Sequence, residues 1–139
     1  MQLTAFRVGA AAWMFTGVAH TVLEFALPGD PDLAAALRAS TLEVGPVSLN
    51  AFLLIRGVSA SMGLAMVVVG LLLWMIARAF RTEPHRARPF GVVALVSTVL
   101  ALGLAVAWVP GPPVVTFTVG TVAFVVALAA KDARPSSPR

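Results

Sequence analysis

Four apolar stretches, each long enough to cross a lipid bilayer as a helix, dominate this sequence. They cover residues 8–27, 49–77, 90–109 and 114–130. A helix needs about 20 largely apolar residues to cross a hydrocarbon core about 30 Å thick. Because a backbone inside lipid must satisfy its own hydrogen bonds, such stretches are expected to be helical. The sequence therefore predicts an all-α fold: a polytopic membrane protein built as a four-transmembrane-helix bundle, with residues 1–130 as its one domain.

The first stretch also resembles a secretory signal peptide in its position. It is longer than the apolar core of a signal peptide, which has about 7–15 residues, and it carries His20 and Glu24. We therefore expect this stretch to be kept as the first span.

The composition argues against a water-soluble domain or a nucleic-acid-binding protein. The chain is 59% hydrophobic and 12% charged, against about 45–50% and about 25% in ordinary soluble domains. It has no cysteine, which excludes disulfides and thiolate metal ligands. The net charge of +4 comes from basic residues at the ends of the apolar stretches, without interleaved aromatic residues, so no nucleic-acid partner is expected.

The connections between the stretches support the division into four spans. Prolines in the segment 110–113 stop the third helix and leave so short a link that the third and fourth spans should form an antiparallel hairpin. In the longer first connection, Asp30 followed by Pro31 is typical of a helix start, which predicts a short surface helix over residues 32–40. Gly45 and Pro46 should end this excursion. Residues 131–139, rich in proline and serine, are expected to form a disordered cytoplasmic tail.

The orientation follows from the distribution of basic residues, which favours the cytoplasmic side of a membrane. Eight of the ten lie at one set of span ends in a four-span arrangement; they are Arg7, Arg78, Arg81, Arg86, Arg88, Lys131, Arg134 and Arg139. The other side has only Arg38. We therefore predict a cell-membrane protein with both termini in the cytoplasm.

Three ionisable residues fall inside the predicted spans: His20, Glu24 and Arg56. Such residues are costly in lipid, about 2.5–3.5 kcal/mol each at a helix centre, and often mark function. The first span would run outward and the second inward, which places all three in the outer half of the membrane. His20 and Glu24, four residues apart, share one helix face, and Glu24 could pair with Arg56.

Small residues indicate which helix faces pack together. Arg56, Ser59, Gly63 and Gly70 fall on one stripe of the second span, and small residues in such a stripe let helices approach closely. A comparable stripe on the fourth span contains Thr116 and Gly120. These patterns predict an apolar-walled pocket in the outer half, with catalytic candidates His20, Glu24 and Arg56. The candidate ligand-binding residues are Asn50, Ser59, Trp108 and Thr116.

Structural interpretations of the same residues stand beside the functional one. Glu24 and Arg56 could each reach the headgroups separately, and His20 could simply join two helices. The tryptophans Trp13, Trp74 and Trp108 are typical of anchors at the membrane interface. The two histidines lie on opposite sides of the membrane, so we expect no haem or zinc site and no cofactor.

Two segments resemble a group of small, uncharacterised four-helix bacterial membrane proteins. The first, Gly17-Val-Ala-His20-Thr21, is similar to the Gly-x-x-His of that group's first helix. The second, Ser59-Ala-Ser-Met-Gly63 followed by Gly70, is similar to its usual Ser-His-Ser-Leu-Gly pattern, with Ala60 in place of the histidine and Gly57 in place of an asparagine. The resemblance implies a four-helix fold.

Three functions fit the sequence. The leading hypothesis is a pocket that binds a lipophilic small molecule, in the form of a cofactor-independent isomerase or cyclase in which Glu24 or His20 moves protons and Arg56 stabilises charge. A small proton-coupled transporter with Glu24 as its ion site is the second. A structural or accessory subunit is the third. The expected partners are membrane lipid, the lipophilic ligand and a second copy or another membrane protein.

Overall fold

The computed structural model describes residues 1–27, 29–108 and 111–130, and most of these residues are helical. The five α-helices are α1 (Leu3–Ala26), α2 (Pro31–Ala39), α3 (Ala51–Ala79), α4 (Arg88–Trp108) and α5 (Pro112–Ala129). A two-stranded hairpin, β1 (Thr41–Val44) and β2 (Val47–Asn50), precedes α3, and a 3₁₀ turn (Pro84–Ala87) precedes α4. The predicted tail, 131–139, lies outside the described residues, as do Pro28, Val109 and Pro110.

Several of these helices are long and apolar enough to cross a membrane. By length and composition they are α3, α5 and the segment formed by the 3₁₀ turn with α4. A fourth candidate arises if α1 and α2, which lie at 88° to each other, are counted together. The structure thus indicates a membrane protein with three or four candidate spans, and the complete four-span bundle stays a prediction.

The short helix in the first connection is present where the sequence predicted it. The Asp30 carboxylate caps α2, because its Oδ1 accepts hydrogen bonds from the backbone N–H groups of Asp32 at 2.9 Å and Leu33 at 3.3 Å. Pro31 occupies the first turn of the helix, where its missing N–H is not needed. The location of this helix on a membrane surface stays a prediction.

The hairpin was not predicted from the sequence. Its strands pair antiparallel, with Val44 opposite Val47, and Gly45 takes a positive φ of 59° in the turn. The second span was predicted from about residue 49, and the helix begins two residues later because Leu49 and Asn50 belong to β2. The Asn50 side chain accepts a hydrogen bond from the Leu53 N–H at 3.2 Å and so caps α3, which begins at Ala51.

Helix α1 lies between α3 and α5 and runs antiparallel to both. Toward α3, Gly17 stands against Gly63, and Ala10 stands against Gly70 further along. A Cβ placed on Gly17 would lie 2.5 Å from the Gly63 carbonyl oxygen, and one on Gly70 would lie 2.8 Å from the Ala10 carbonyl oxygen. Such approaches of two backbones are possible only for glycine. The predicted packing of the Gly63–Gly70 stripe against another helix is therefore confirmed.

The contact of α1 with α5 is aromatic. Phe6 meets Phe124 edge to face with ring centroids 5.4 Å apart, and Trp13 meets Phe117 in the same way at 5.2 Å. Both Phe6 and Phe124 are fully buried. These contacts hold α1 against α5 along much of its length.

A partly buried hydrogen bond joins α1 to α4. The Trp13 Nε1–H donates to the Thr98 hydroxyl at 2.8 Å, and Thr98 is fully buried. Trp13 lies midway along α1 and packs against the core, and its interpretation as an interfacial anchor stays a prediction. Helices α4 and α5 form the predicted antiparallel hairpin, with Gly91 near Leu128 and Gly120 near Thr98.

Candidate functional site

The antiparallel pairing of α1 and α3 brings the end of α1 beside the start of α3. Two residues one turn apart on each helix meet there: His20 and Glu24 on α1, Arg56 and Ser59 on α3. The Arg56 Nε lies 3.7 Å from the Glu24 Oε1, and the Arg56 Nη2–H donates to the Glu24 backbone carbonyl at 3.4 Å. The ion pair expected between Glu24 and Arg56 is therefore present.

Ser59 connects the imidazole of His20 to the carboxylate of Glu24. Its Oγ lies 2.9 Å from the His20 Nε2 and donates to the Glu24 Oε2 at 3.0 Å. A hydroxyl has one proton to donate and two lone pairs to accept with. If that proton goes to Glu24, Ser59 accepts from His20 in the tautomer whose Nε2 carries the hydrogen. The four residues form one connected polar cluster.

Aromatic rings cover the charged end of this cluster. The guanidinium carbon of Arg56 lies 4.4 Å from the ring centroid of Phe25 and 5.5 Å from that of Phe52, which is the range of cation–π contacts. The side chains of Arg56 and Glu24 are 33% and 27% exposed. They point at each other, so the interpretation in which each reaches separately for the headgroups does not match the geometry.

One side of the cluster faces a cleft between α1 and α5, here called the α1–α5 cleft. Its volume is about 310 Å³. His20 and Glu24 lie on its α1 wall, and Thr116 lies on its α5 wall, where the hydroxyl of Thr16 donates to the Thr116 Oγ1 at 2.8 Å. The other lining residues are apolar side chains and two prolines: Phe15, Ala19, Leu23, Pro112 and Pro113. The predicted pocket included Arg56 and Ser59 of the second span, whereas no α3 residue lines this cleft.

The other side of the cluster faces a second, open cleft of about 570 Å³, bordered by the end of α1, by α2 and by the start of α3. It is called the α2 cleft below. Arg56 and Glu24 line it together with Arg38 of α2. Glu24 and Leu23 thus form the partition between the two clefts, since both residues line each of them.

Two of the predicted ligand-binding residues lie away from both clefts. The Asn50 side chain caps α3 and donates to the Arg38 carbonyl at 2.8 Å, and it lines neither cleft. Trp108, at the end of α4, is 74% exposed and also lines neither. Thr116 reaches the α1–α5 cleft and Ser59 reaches the cluster. The bridging position of Ser59 was missed, although its spacing of three residues from Arg56 was a signal for it.

The cluster has the groups needed to move a proton but not the arrangement of a nucleophilic triad. In such a triad the carboxylate orients the histidine, which in turn activates the serine. Here the carboxylate of Glu24 binds the serine directly, so Ser59 is held as a bridge between two proton-carrying groups. In the described ranges 1–27, 29–108 and 111–130, no three His, Asp or Glu side chains are grouped so that they could hold a metal ion.

No protein-family model, no curated protein and no solved structure matches this chain. The similarity of its first two spans to small four-helix bacterial membrane proteins stays a prediction.

Proposed function

We propose that this chain is a four-span protein of the cell membrane that binds a lipophilic small molecule in the α1–α5 cleft and rearranges it by acid/base chemistry. The observation that carries the proposal is the hydrogen-bonded connection of His20, Ser59 and Glu24 on the wall of an apolar cleft. Apolar walls with a few convergent polar groups are the usual character of a small-molecule site.

The proposed membrane arrangement rests on the helix directions and on charge. Because α1 is antiparallel to α3, Arg7 and Arg78 belong to the same end of the protein, and the 3₁₀ turn that carries Arg86 lies there as well. Lysine and arginine favour the cytoplasmic side. Both termini would then be cytoplasmic, α2 would lie on the outer membrane surface, and the cluster would stand in the outer half of the bilayer.

The proposed chemistry uses the cluster as a pair of proton carriers. In an isomerisation, one group removes a proton from a carbon of the substrate, the double bond shifts, and a proton is returned to another carbon, so atoms balance without a cofactor. Glu24 and His20 line the cleft and would perform these two steps. Ser59 would hold the two side chains in place through its hydrogen bonds, and Arg56 would position the Glu24 carboxylate.

The binding step can be tested with a photoreactive probe, a diazirine-bearing isoprenoid alcohol, added to the full chain in lipid nanodiscs. Cross-links mapped by mass spectrometry are expected on α1 between Phe15 and Leu23 and on α5 near Thr116. Ala19 lines the cleft, so Ala19→Leu should fill it and remove most of the cross-linking. Ala107→Leu, at an exposed position of α4, is the matched control and should leave the yield unchanged.

Equal labelling of wild type and Ala19→Leu would contradict the proposed binding site. So would cross-links spread evenly over the exposed apolar faces of all the helices, because that pattern is expected from bulk lipid.

A further inference from the structure

The two basic residues outside the proposed cytoplasmic end lie at one aromatic ring. Arg38 belongs to α2 and Arg56 to α3, yet their guanidinium carbons lie 4.4 Å and 5.5 Å from the ring centroid of Phe52. Both arginines line the α2 cleft. The charge bias of a membrane protein disfavours arginine on the outer side. Two arginines that line one cleft there indicate a site for a negatively charged ligand.

Arg38 is held in place but has no ion pair with any residue that the structure describes. Its backbone carbonyl accepts from the Asn50 side chain at 2.8 Å, which fixes the end of α2 beside the start of α3. Among the described residues, the ion pairs that exist are those of Arg56 with Glu24 and of Arg86 with Glu83. The Arg38 guanidinium therefore faces the cleft with its N–H donors available to a ligand.

Both carboxylates that line the same cleft accept hydrogen bonds from groups of the protein. The Asp30 Oδ1 accepts two backbone N–H groups at the start of α2. The Glu24 carboxylate accepts from Ser59 and pairs with Arg56. Neither carboxylate forms an ion pair with Arg38, so an anion that enters the cleft would meet the unpaired guanidinium of Arg38, with Arg56 lining the same cleft.

The remaining lining of the α2 cleft is apolar. It includes Leu23, Phe25, Leu33, Leu37, Phe52 and Ile55. The volume of about 570 Å³ can accept a headgroup with the first carbons of its chain, since ligand pockets commonly span about 300–1,000 Å³. A small free anion would leave these apolar walls unfilled, whereas an amphiphile would cover them.

We propose that the α2 cleft binds the phosphate headgroup of an anionic phospholipid from the outer leaflet. Arg38 would be its first ligand, through the paired N–H groups that match phosphate oxygens, and Arg56 would be the second. The acyl chains would leave along the apolar wall of the cleft. This site does not depend on the proton chemistry proposed for His20, although Glu24 separates the two clefts.

The test uses the full chain in nanodiscs and two photoreactive lipids, a phosphatidylglycerol and a phosphatidylcholine with the same chains and a diazirine close to the headgroup. Cross-links to residues 23–38 and 52–56 are expected to favour phosphatidylglycerol. Arg38→Gln should lower that yield roughly tenfold, the effect expected for loss of a charge-assisted hydrogen bond. Arg38→Lys keeps the charge but loses the paired N–H donors of the guanidinium. Its cross-linking yield should lie between those of wild type and Arg38→Gln.

Three controls distinguish lipid binding in the α2 cleft from general charge attraction, from the binding of a free anion and from binding in the α1–α5 cleft. Arg81→Gln removes an exposed arginine at the opposite end and should leave the yield in the α2 cleft unchanged. Excess inorganic phosphate should not compete, because it cannot cover the apolar walls. Ala19→Leu, which fills the α1–α5 cleft, should also have no effect, so this proposal and the proposed function fail separately. Equal yields for both lipids, indifference to Arg38→Gln, or displacement by inorganic phosphate would overturn the assignment.

Discussion

The contact of α1 with α3 predicts that even one added methyl group will separate these helices. A Cβ on Gly17 would lie 2.5 Å from the Gly63 carbonyl oxygen, 2.8 Å from the Val67 nitrogen and 2.9 Å from the Met66 Cβ. Two of these atoms belong to the α3 backbone and cannot rotate away. Gly17→Ala must therefore push the helices apart, and overpacking of this kind costs about 1–3 kcal/mol.

Gly57→Ala is the matched control, because a Cβ on Gly57 meets nothing within 4 Å. Both substitutions gain the same intrinsic helix propensity, about 0.8–1 kcal/mol, so the difference between them isolates the packing term. We expect Gly17→Ala to be less stable than Gly57→Ala by about 1–3 kcal/mol. Equilibrium unfolding in mixed micelles, followed by near-ultraviolet circular dichroism, measures this difference. Equal stabilities would refute the backbone contact.

Three further predictions follow from the helix contacts. Thr98→Val should destabilise the protein by about 1–3 kcal/mol because it leaves the Trp13 N–H unpaired, and the same unfolding measurement checks it. Ser59→Ala should lower the free energy of unfolding by a similar amount. Ser61→Ala should leave it nearly unchanged, because the Ser61 hydroxyl donates only to the Gly57 carbonyl on its own helix. Cysteines at the exposed positions 40 and 82 should differ in intact cells, with only the first reacting with an impermeant reagent.

The pairing of α1 with α3 could be predicted because it depends on regular geometry. Helix periodicity alone places Arg56, Ser59 and Gly63 on one face, and glycine marks where a backbone can approach another. The same periodicity places His20 and Glu24 together. The ion pair across the helices then follows from the antiparallel direction, which the length of the first connection allows.

The ends of the helices were harder to predict, because a polar or charged residue was assumed to mark the end of each helix. The first span was predicted to begin at residue 8, after Arg7, but α1 begins at Leu3. A charge does not end a helix if its side chain has somewhere to lie, and the guanidinium of Arg7 lies 5.9 Å from the ring centroid of Trp74. At the other boundary, α3 begins at Ala51 because the Asn50 side chain caps it. A hydropathy profile does not detect a capping side chain.

The details of the site depended on contacts between elements that hydropathy does not describe. The short run that forms the hairpin has no periodicity long enough to distinguish a strand from a loop. Trp108 was expected to bind the ligand, but its side chain is exposed and lines neither cleft. The second cleft also escaped prediction, because it needs the 88° angle between α1 and α2, which no residue pattern specifies.

The connection of His20 to Glu24 through Ser59 is the central claim, and the ¹⁵N resonances of the two histidines test it most directly. The spectrum is recorded by solid-state NMR on the full chain in lipid bilayers. His85, exposed in the 3₁₀ turn, serves as an internal reference. We expect a protonated Nε2 on His20 and a clear displacement of that resonance in Ser59→Ala, with His85 unchanged. A His20 resonance that is the same in wild type and Ser59→Ala would contradict the cluster.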